Sequence, residues 1–278
     1  GLEYAFALRN DVVFHDGTPF DAHAVAVNID RIRDPQIASQ KAFALLGPFA
    51  RYEILDDYTI KLVFTEPYGA LLDSLSQVYL GIASPAALQE YAEHPLRYQF
   101  HQVGTGPYEF VEYLPGDRII IRKNLNYNWG PPFYERVIPN PIEEIEFRFY
   151  RNAEERAGAL ERGEVQIMSE VLPFEARVLA GTGNVGLSPQ GIPGQPMQLY
   201  MNVNKSPTDQ LAVRQALIYA TNREAIVDSV FQGLSSVAYG PLAATTDYYN
   251  NAVFGMYDFD AIKAQALLAT AGYRDTNG

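Results

Sequence analysis

The sequence predicts an α/β protein, and three observations carry that reading. Segments that alternate apolar and polar residues interleave with segments of helical period along the whole chain. Turn and cap residues separate them at most boundaries. With 278 residues, 47% of them hydrophobic and 19% charged, the chain can bury a sizeable core in one or two domains, and a disordered chain is excluded.

Tyr4 to Phe14 alternates like a strand, interrupted at Arg9-Asn10-Asp11, and Asp16-Gly17 supplies a turn. Asp21 can cap a helix with Ala24, Val25, Ile29 and Ile32 at helical spacing, Asn28 being the polar exception, and Pro35 ends it. Tyr58 to Phe64 reads as a strand behind an Asp56-Asp57 turn. Short helices follow at Leu71–Leu75 and, behind Ser84-Pro85, at Ala86–Ala92. Tyr108–Tyr113 and Arg118–Arg122 form a hairpin around Pro115-Gly116, and Ile142–Tyr150 places Ile145, Phe147 and Phe149 on one strand face. A helix over Ala153–Glu161 stops at Gly163, and Val165–Ile167 reads as a strand. Gly191-Ile192-Pro193-Gly194-Gln195-Pro196 has the composition of a linker or hinge, and a strand is expected at Met197–Val203. Helices then cover Leu211–Ala220, the stretch from Thr221-Asn222 to Phe231, and Phe259–Ala271 before Gly272.

Composition excludes several functions. A net charge of −12 with no basic block opposes nucleic acid as a partner. Zero cysteines exclude thiol catalysis, disulfides and cysteine zinc sites. No apolar run approaches the ~20 residues of a membrane span, so no direct membrane insertion is expected, and no run resembles a signal peptide. The start at Gly1, directly into a strand pattern, is read as the edge of a fragment of a longer chain.

Motif chemistry points away from an enzyme. Val103-Gly104-Thr105-Gly106-Pro107-Tyr108-Glu109-Phe110 has glycines around a small hydroxyl residue, yet it lacks the lysine and following helix of a phosphate loop. Gly104 and Gly106 are read instead as positions of positive φ or of close backbone approach. His15, His23, His94 and His101 show no metal-ligand spacing, and His15 beside Asp16 reads as a turn residue with local hydrogen bonds. The pairs Asp56-Asp57, Glu143-Glu144 and Glu154-Glu155 diverge on a strand or helix and cannot flank one bond. No catalytic residue, metal ligand or cofactor is assigned.

Four stretches, in order, resemble the family 5 extracellular solute-binding proteins, the oligopeptide, dipeptide and nickel receptors of ATP-driven importers. They are Leu8–Phe20, Val103–Phe110, Arg122-Lys123-Asn124 with Asn126-Tyr127-Asn128-Trp129-Gly130, and Leu211–Arg223. Asn128 is one residue more than the usual N-x-x-Y-W-G run holds. The resemblance implies a fold like the type II periplasmic binding proteins, multi-lobed with mixed β-sheets, whose lobes are incomplete here. Residues 1–102 would be the outer lobe with an edge of the first lobe, 103–196 part of the first ligand-binding lobe, and 197–278 the start of the second. It further implies a monomeric receptor, periplasmic or extracellular and lipid-anchored in full length. That receptor captures a small peptide or a chelated metal such as nickel for an ABC permease in the membrane. Tyr200 matches an aromatic position near the cleft; Tyr108, Tyr79 and Asn202 are further ligand-binding candidates, and Gly104, Gly106 and Pro196 mark the hinge. Arg214 is expected to be a structural ion-pair partner. Two other readings stay open: an α/β hydrolase pairing Ser76 or Ser84 with His101, and a sensory ligand-binding module.

Overall fold

The computed structural model describes residues 1–131 and 142–273, and its contacts divide the chain into two compact units, Gly1–Tyr150 and the residues from Arg151 onward. The first unit begins with β1 (Glu3–Ala7) and α1 (Ala22–Arg33), followed by α2 (Gln40–Leu45), β2 (Phe49–Asp56) and β3 (Thr59–Phe64). β3 lies between β1 and β2, antiparallel to both. Its sequence alternates: Ile60, Leu62 and Phe64 are buried in a core with Ala22, Ala26 and Ile29 of α1, joined by Leu46, Leu71 and Leu80. Lys61 points to the other face, where its Nζ meets Glu53 at 2.6 Å and Glu3 at 3.6 Å across the two neighbouring strands. The expected cap of α1 is present, with Asp21 Oδ1 accepting from the Ala24 N–H at 2.8 Å.

Two short helices, α3 (Leu71–Leu75) and α4 (Pro85–Glu90), lead to a second antiparallel sheet of β4 (Tyr108–Leu114), β5 (Arg118–Lys123) and β6 (Glu144–Arg148). Gly116, at φ +77°, makes the expected turn between β4 and β5. Both sheets are antiparallel, because tight turns link β2 to β3 and β4 to β5.

The segment 103–107, between these two sheets in the chain, is densely hydrogen-bonded. Each carbonyl from Val103 to Pro107 accepts a bond. Val103 O accepts from Ser84 N at 3.0 Å and from Tyr98 Oη at 3.3 Å. Gly104 O accepts from His15 N at 2.9 Å, and Thr105 O from the indole Nε1 of Trp129 at 2.8 Å. Gly106 O faces His15 Nε2 at 3.0 Å and accepts from Asn124 Nδ2 at 3.4 Å, while Pro107 O accepts from Asn124 N at 2.9 Å. Gly104 N donates back to His15 Nδ1 at 3.4 Å, which assigns the imidazole proton to Nε2. His15 does sit in the expected turn, closed by Gly17 N donating to Phe14 O at 2.8 Å, but its own bonds are long-range rather than local. The glycine reading also changes. Neither Gly104 nor Gly106 has positive φ, and an added Cβ would meet only His15 Cε1 at 4.0 Å or Tyr108 O at 3.9 Å.

A second polar cluster holds α1 against the residues before α4. Asn28, buried and out of pattern in sequence, donates to Ala83 O at 2.8 Å and accepts from Ala83 N at 3.0 Å. Ser84, fully buried, donates to Asp16 and accepts from Ala87 N at the start of α4. Burial pushes the Asp16 carboxyl up, but the bonds from Ser84 and Thr18 outweigh it and hold the group below its ordinary value of 3.8.

The second unit is helical among the described residues: α5 (Ala153–Glu161), α6 (Pro173–Gly181), α7 (Leu211–Ala220), α8 (Arg223–Val230) and α9 (Ala261–Thr270). Asn152, Asn222 and Asp260 cap α5, α8 and α9 with their side chains. α7 packs on α9 through buried Val213, Ala216 and Ala264. The strands expected at 165–167 and 197–203 do not form. A strand needs a hydrogen-bonded neighbour, none pairs with either stretch among the described residues, and Met197 and Leu199 are 88% and 92% exposed. Arg214 donates to the carbonyls of Thr208 at 2.8 Å and Asp209 at 2.9 Å, main-chain partners where a carboxylate was expected.

Two outcomes follow from the loop and its neighbours. Trp129→Phe leaves the Thr105 carbonyl without its donor and is expected to lower unfolding stability by about 1–3 kcal/mol, read by urea denaturation; an unchanged midpoint contradicts the role given to the indole. The lowered Asp16 pKa contributes stability that is fully present above pH 3.8 and is lost as pH falls through the folded value. Asp16→Asn should therefore flatten the acid limb of stability against pH below about 4, and identical acid limbs would argue against it.

Candidate functional site

The sequence-predicted residues fall in both units. In the first, Tyr79 sits in a single 3-10 turn, Val78–Leu80, which directs its ring outward. It is 55% exposed, and the Lys41 ammonium lies 5.8 Å from the ring centroid. Tyr108 opens β4 opposite Lys123, and its hydroxyl donates to Ile142 O at 3.0 Å. Tyr108 is thus partly buried and tied to its own sheet.

In the second unit, Tyr200 and Asn202 lie on one extended segment. The Tyr200 ring is 79% exposed, and its hydroxyl donates to Gln195 Oε1 at 3.1 Å and accepts from Gln198 Nε2 at 2.7 Å. Gln195 and Gln198 were not singled out by sequence reasoning. The i, i+2 spacing of Gln198 and Tyr200 was the available signal, since it puts both side chains on one side of an extended backbone. Asn202 turns the chain: its Oδ1 accepts from Asn204 N at 3.0 Å, and its carbonyl accepts from Thr208 Oγ1 at 2.7 Å. Arg214 then holds the far end of that turn from α7.

Pro196 lies between Gln195 and the run 197–200, in which Met197, Leu199 and Tyr200 are exposed, whereas Gly104 and Gly106 lie in the bonded loop of the first unit. Gly194, just before Pro196, does take positive φ, +101°. Its N–H donates to Thr246 Oγ1 at 2.6 Å and its carbonyl accepts from Ala243 N at 2.7 Å.

This chemistry suits recognition. A phenol flanked by two amides offers a ring face for packing and both donors and acceptors for a polar solute. Among the described residues no three His, Cys, Asp or Glu side chains are grouped to hold a metal ion. The serines and histidine of a hydrolase are used elsewhere. Ser84 is bound to Asp16, Ser76 Oγ donates to Asp73 O at 2.7 Å, and the His101 ring stacks on Tyr91 with centroids 4.7 Å apart.

Known proteins place this chain firmly. The glutathione-binding protein GsiB of Pectobacterium atrosepticum is 34% identical over 276 residues, covering 98% of this chain and 50% of that protein. The chain thus spans about half the length of the curated relatives it matches. Among solved structures, the periplasmic binding protein DppA of Helicobacter pylori in complex with the peptide STSA superposes with a TM-score of 0.81 at 27% identity, over 98% of this chain and 55% of that one. NikA of Brucella suis in complex with Fe(III)-EDTA gives 0.80 at 26% identity, over 99% and 54%. These neighbours bear out the type II periplasmic-binding-protein fold. The family described as bacterial extracellular solute-binding proteins, family 5 middle, matches residues 1–278. The chain belongs to that family.

Proposed function

We propose that this chain is part of a receptor outside the cytoplasm, periplasmic or extracellular, that captures a small solute for an ABC permease. The observation that carries the proposal is the family match over residues 1–278. The solute class we favour is a short peptide of glutathione's size, supported by 34% identity to glutathione-binding proteins; a metal chelate is the second class, supported by the likeness to NikA. A hydrolase or a sensory module has no comparable support.

In this reading residues 1–102 belong to the outer lobe, 103–196 to the first ligand-binding lobe and 197–278 to the second. Capture in a cleft is followed by closure, which adds contacts to the bound solute. Tyr200 is the leading contact because its ring is exposed and its hydroxyl is oriented by Gln195 and Gln198. Asn202, Tyr108 and Tyr79 are secondary contacts. Gly104, Gly106 and Pro196 mark the chain crossings at which closure is accommodated. The receptor works as a monomer, anchored by lipid in its full length.

The test uses the full-length protein, purified without denaturation and weighed by native mass spectrometry for a retained solute. Calorimetry against glutathione, dipeptides and the nickel–histidine chelate is expected to give micromolar or tighter binding of at least one. Binding of none, or turnover of a peptide and ester panel abolished by His101→Ala, overturns the receptor reading. The 278-residue chain alone should bind none of these at micromolar strength, because it carries one part of the cleft; tight binding by it contradicts the lobe assignment. In the full-length protein, Tyr200→Ala should weaken binding about fivefold or more with no change in melting temperature. Unchanged affinity removes Tyr200 from the site.

A further inference from the structure

Both ring nitrogens of His15 are committed to the backbone of the loop at 103–107. Nε2 faces the Gly106 carbonyl at 3.0 Å, and Nδ1 faces the Gly104 N–H at 3.4 Å. A carbonyl offers no proton and an N–H offers no lone pair, so only the neutral imidazole with its proton on Nε2 satisfies both. The imidazolium keeps the bond to Gly106 but turns an Nδ1–H against the Gly104 N–H, two donors face to face. A flip of that peptide would relieve the contact by offering its carbonyl to the ring. The flip is blocked, because the carbonyl of the same peptide is Val103 O, which already accepts from Ser84 N at 3.0 Å and from Tyr98 Oη at 3.3 Å. The backbone under the ring is held too, with His15 N donating to Gly104 O at 2.9 Å.

The ionisable groups around this spot are engaged elsewhere. Asp16, next in the chain, has one carboxylate oxygen on Thr18 N at 3.0 Å and Thr18 Oγ1 at 2.6 Å, and the other on the Ser84 hydroxyl. Tyr98 turns its hydroxyl to both backbone groups of Val103. On the Trp129 side Arg9 pairs with Asp11 at 2.6 Å, and Tyr127 packs its ring against the indole. Glu109 lies opposite Arg122 and Lys123 opposite Tyr108 in the β4–β5 pair, while residues 103–107 carry no ionisable side chain. We infer that His15 is an acid-sensitive latch: neutral, it fastens the loop, and protonated, it releases Gly104 and loosens the entry into β4. The fastened loop binds one proton fewer than the loosened one, so falling pH favours the loosened form. Histidine is the side chain that ordinarily changes charge between about pH 5 and 8, whereas Asp16, held below 3.8, stays ionised there. Loss at His15 and loss at Asp16 therefore fall in separate pH ranges. The latch lies within the first unit and does not rest on the receptor reading.

The experiment follows amide hydrogen exchange in the full-length protein, with each rate corrected for its intrinsic pH dependence. In the parent, protection of the Gly104 amide is expected to fall about fivefold or more between about pH 8 and about pH 5.5. In His15→Asn the amide oxygen offers an acceptor that takes up no proton, and the change is expected to stay within about twofold. His101→Gln removes the histidine nearest the loop in sequence and is expected to respond like the parent. A flat response in the parent, a parent-like response in His15→Asn, or a lost response in His101→Gln overturns the latch. So does a fall shared equally by the amides of β3, which marks loosening of the whole unit. If His15→Asn does not fold, ring-nitrogen NMR of the parent decides. A neutral Nε2–H form at about pH 8, with the Gly104 amide shift following the titration of the ring, upholds the latch. An Nδ1–H form, or an amide shift independent of the ring, overturns it.

Discussion

Five consecutive carbonyls turned partly inward need five donors, and supplying them organises the first half of the chain. A buried carbonyl without a partner costs on the order of 1–3 kcal/mol. The demand at 103–107 therefore fixes where His15, Ser84, Asn124 and Trp129 must stand. Three of them, His15, Asn124 and Trp129, lie in two of the stretches that carry the family resemblance, while Ser84 lies outside them. All four are donors to one loop. Ser84 connects this system to the next, because its hydroxyl binds Asp16 while Asn28 binds the neighbouring Ala83.

Local chemistry was legible in the sequence, and long-range chemistry was not. Asp21, Ser84, Asn152 and Asn222 cap their helices within three residues, so the helix starts could be read directly. β3 was legible because Ile60, Leu62 and Phe64 keep a strict alternation. β2 was hidden, since register shifts after Phe49 and Ile54 break the period of two. The roles of His15 and Trp129 could not be read, because their partners lie 89–91 and 24 residues away. Alternation alone misled at 165–167 and 197–203, where the pattern is present but no neighbouring strand among the described residues supplies its bonds.

The candidate site residues were named chiefly through the family resemblance. Tyr200 was singled out because it matches an aromatic position of the resembled family, and its two glutamine partners emerged only from the folded geometry. Solute specificity depends on groups converging from several elements. The relatives that share this chain's stretches are about twice its length.

Trp129 has one more consequence. It is the sole tryptophan of the chain, it is only 9% exposed, and its indole N–H is engaged by Thr105 O. The intrinsic fluorescence of this polypeptide, excited at the red edge where tyrosine does not absorb, therefore comes from a single spot in the loop between the two sheets. Its emission colour and quenching report that spot alone, free of background from the remaining aromatics. The chain thus carries an optical probe beside a loop whose five consecutive carbonyls are all hydrogen-bonded.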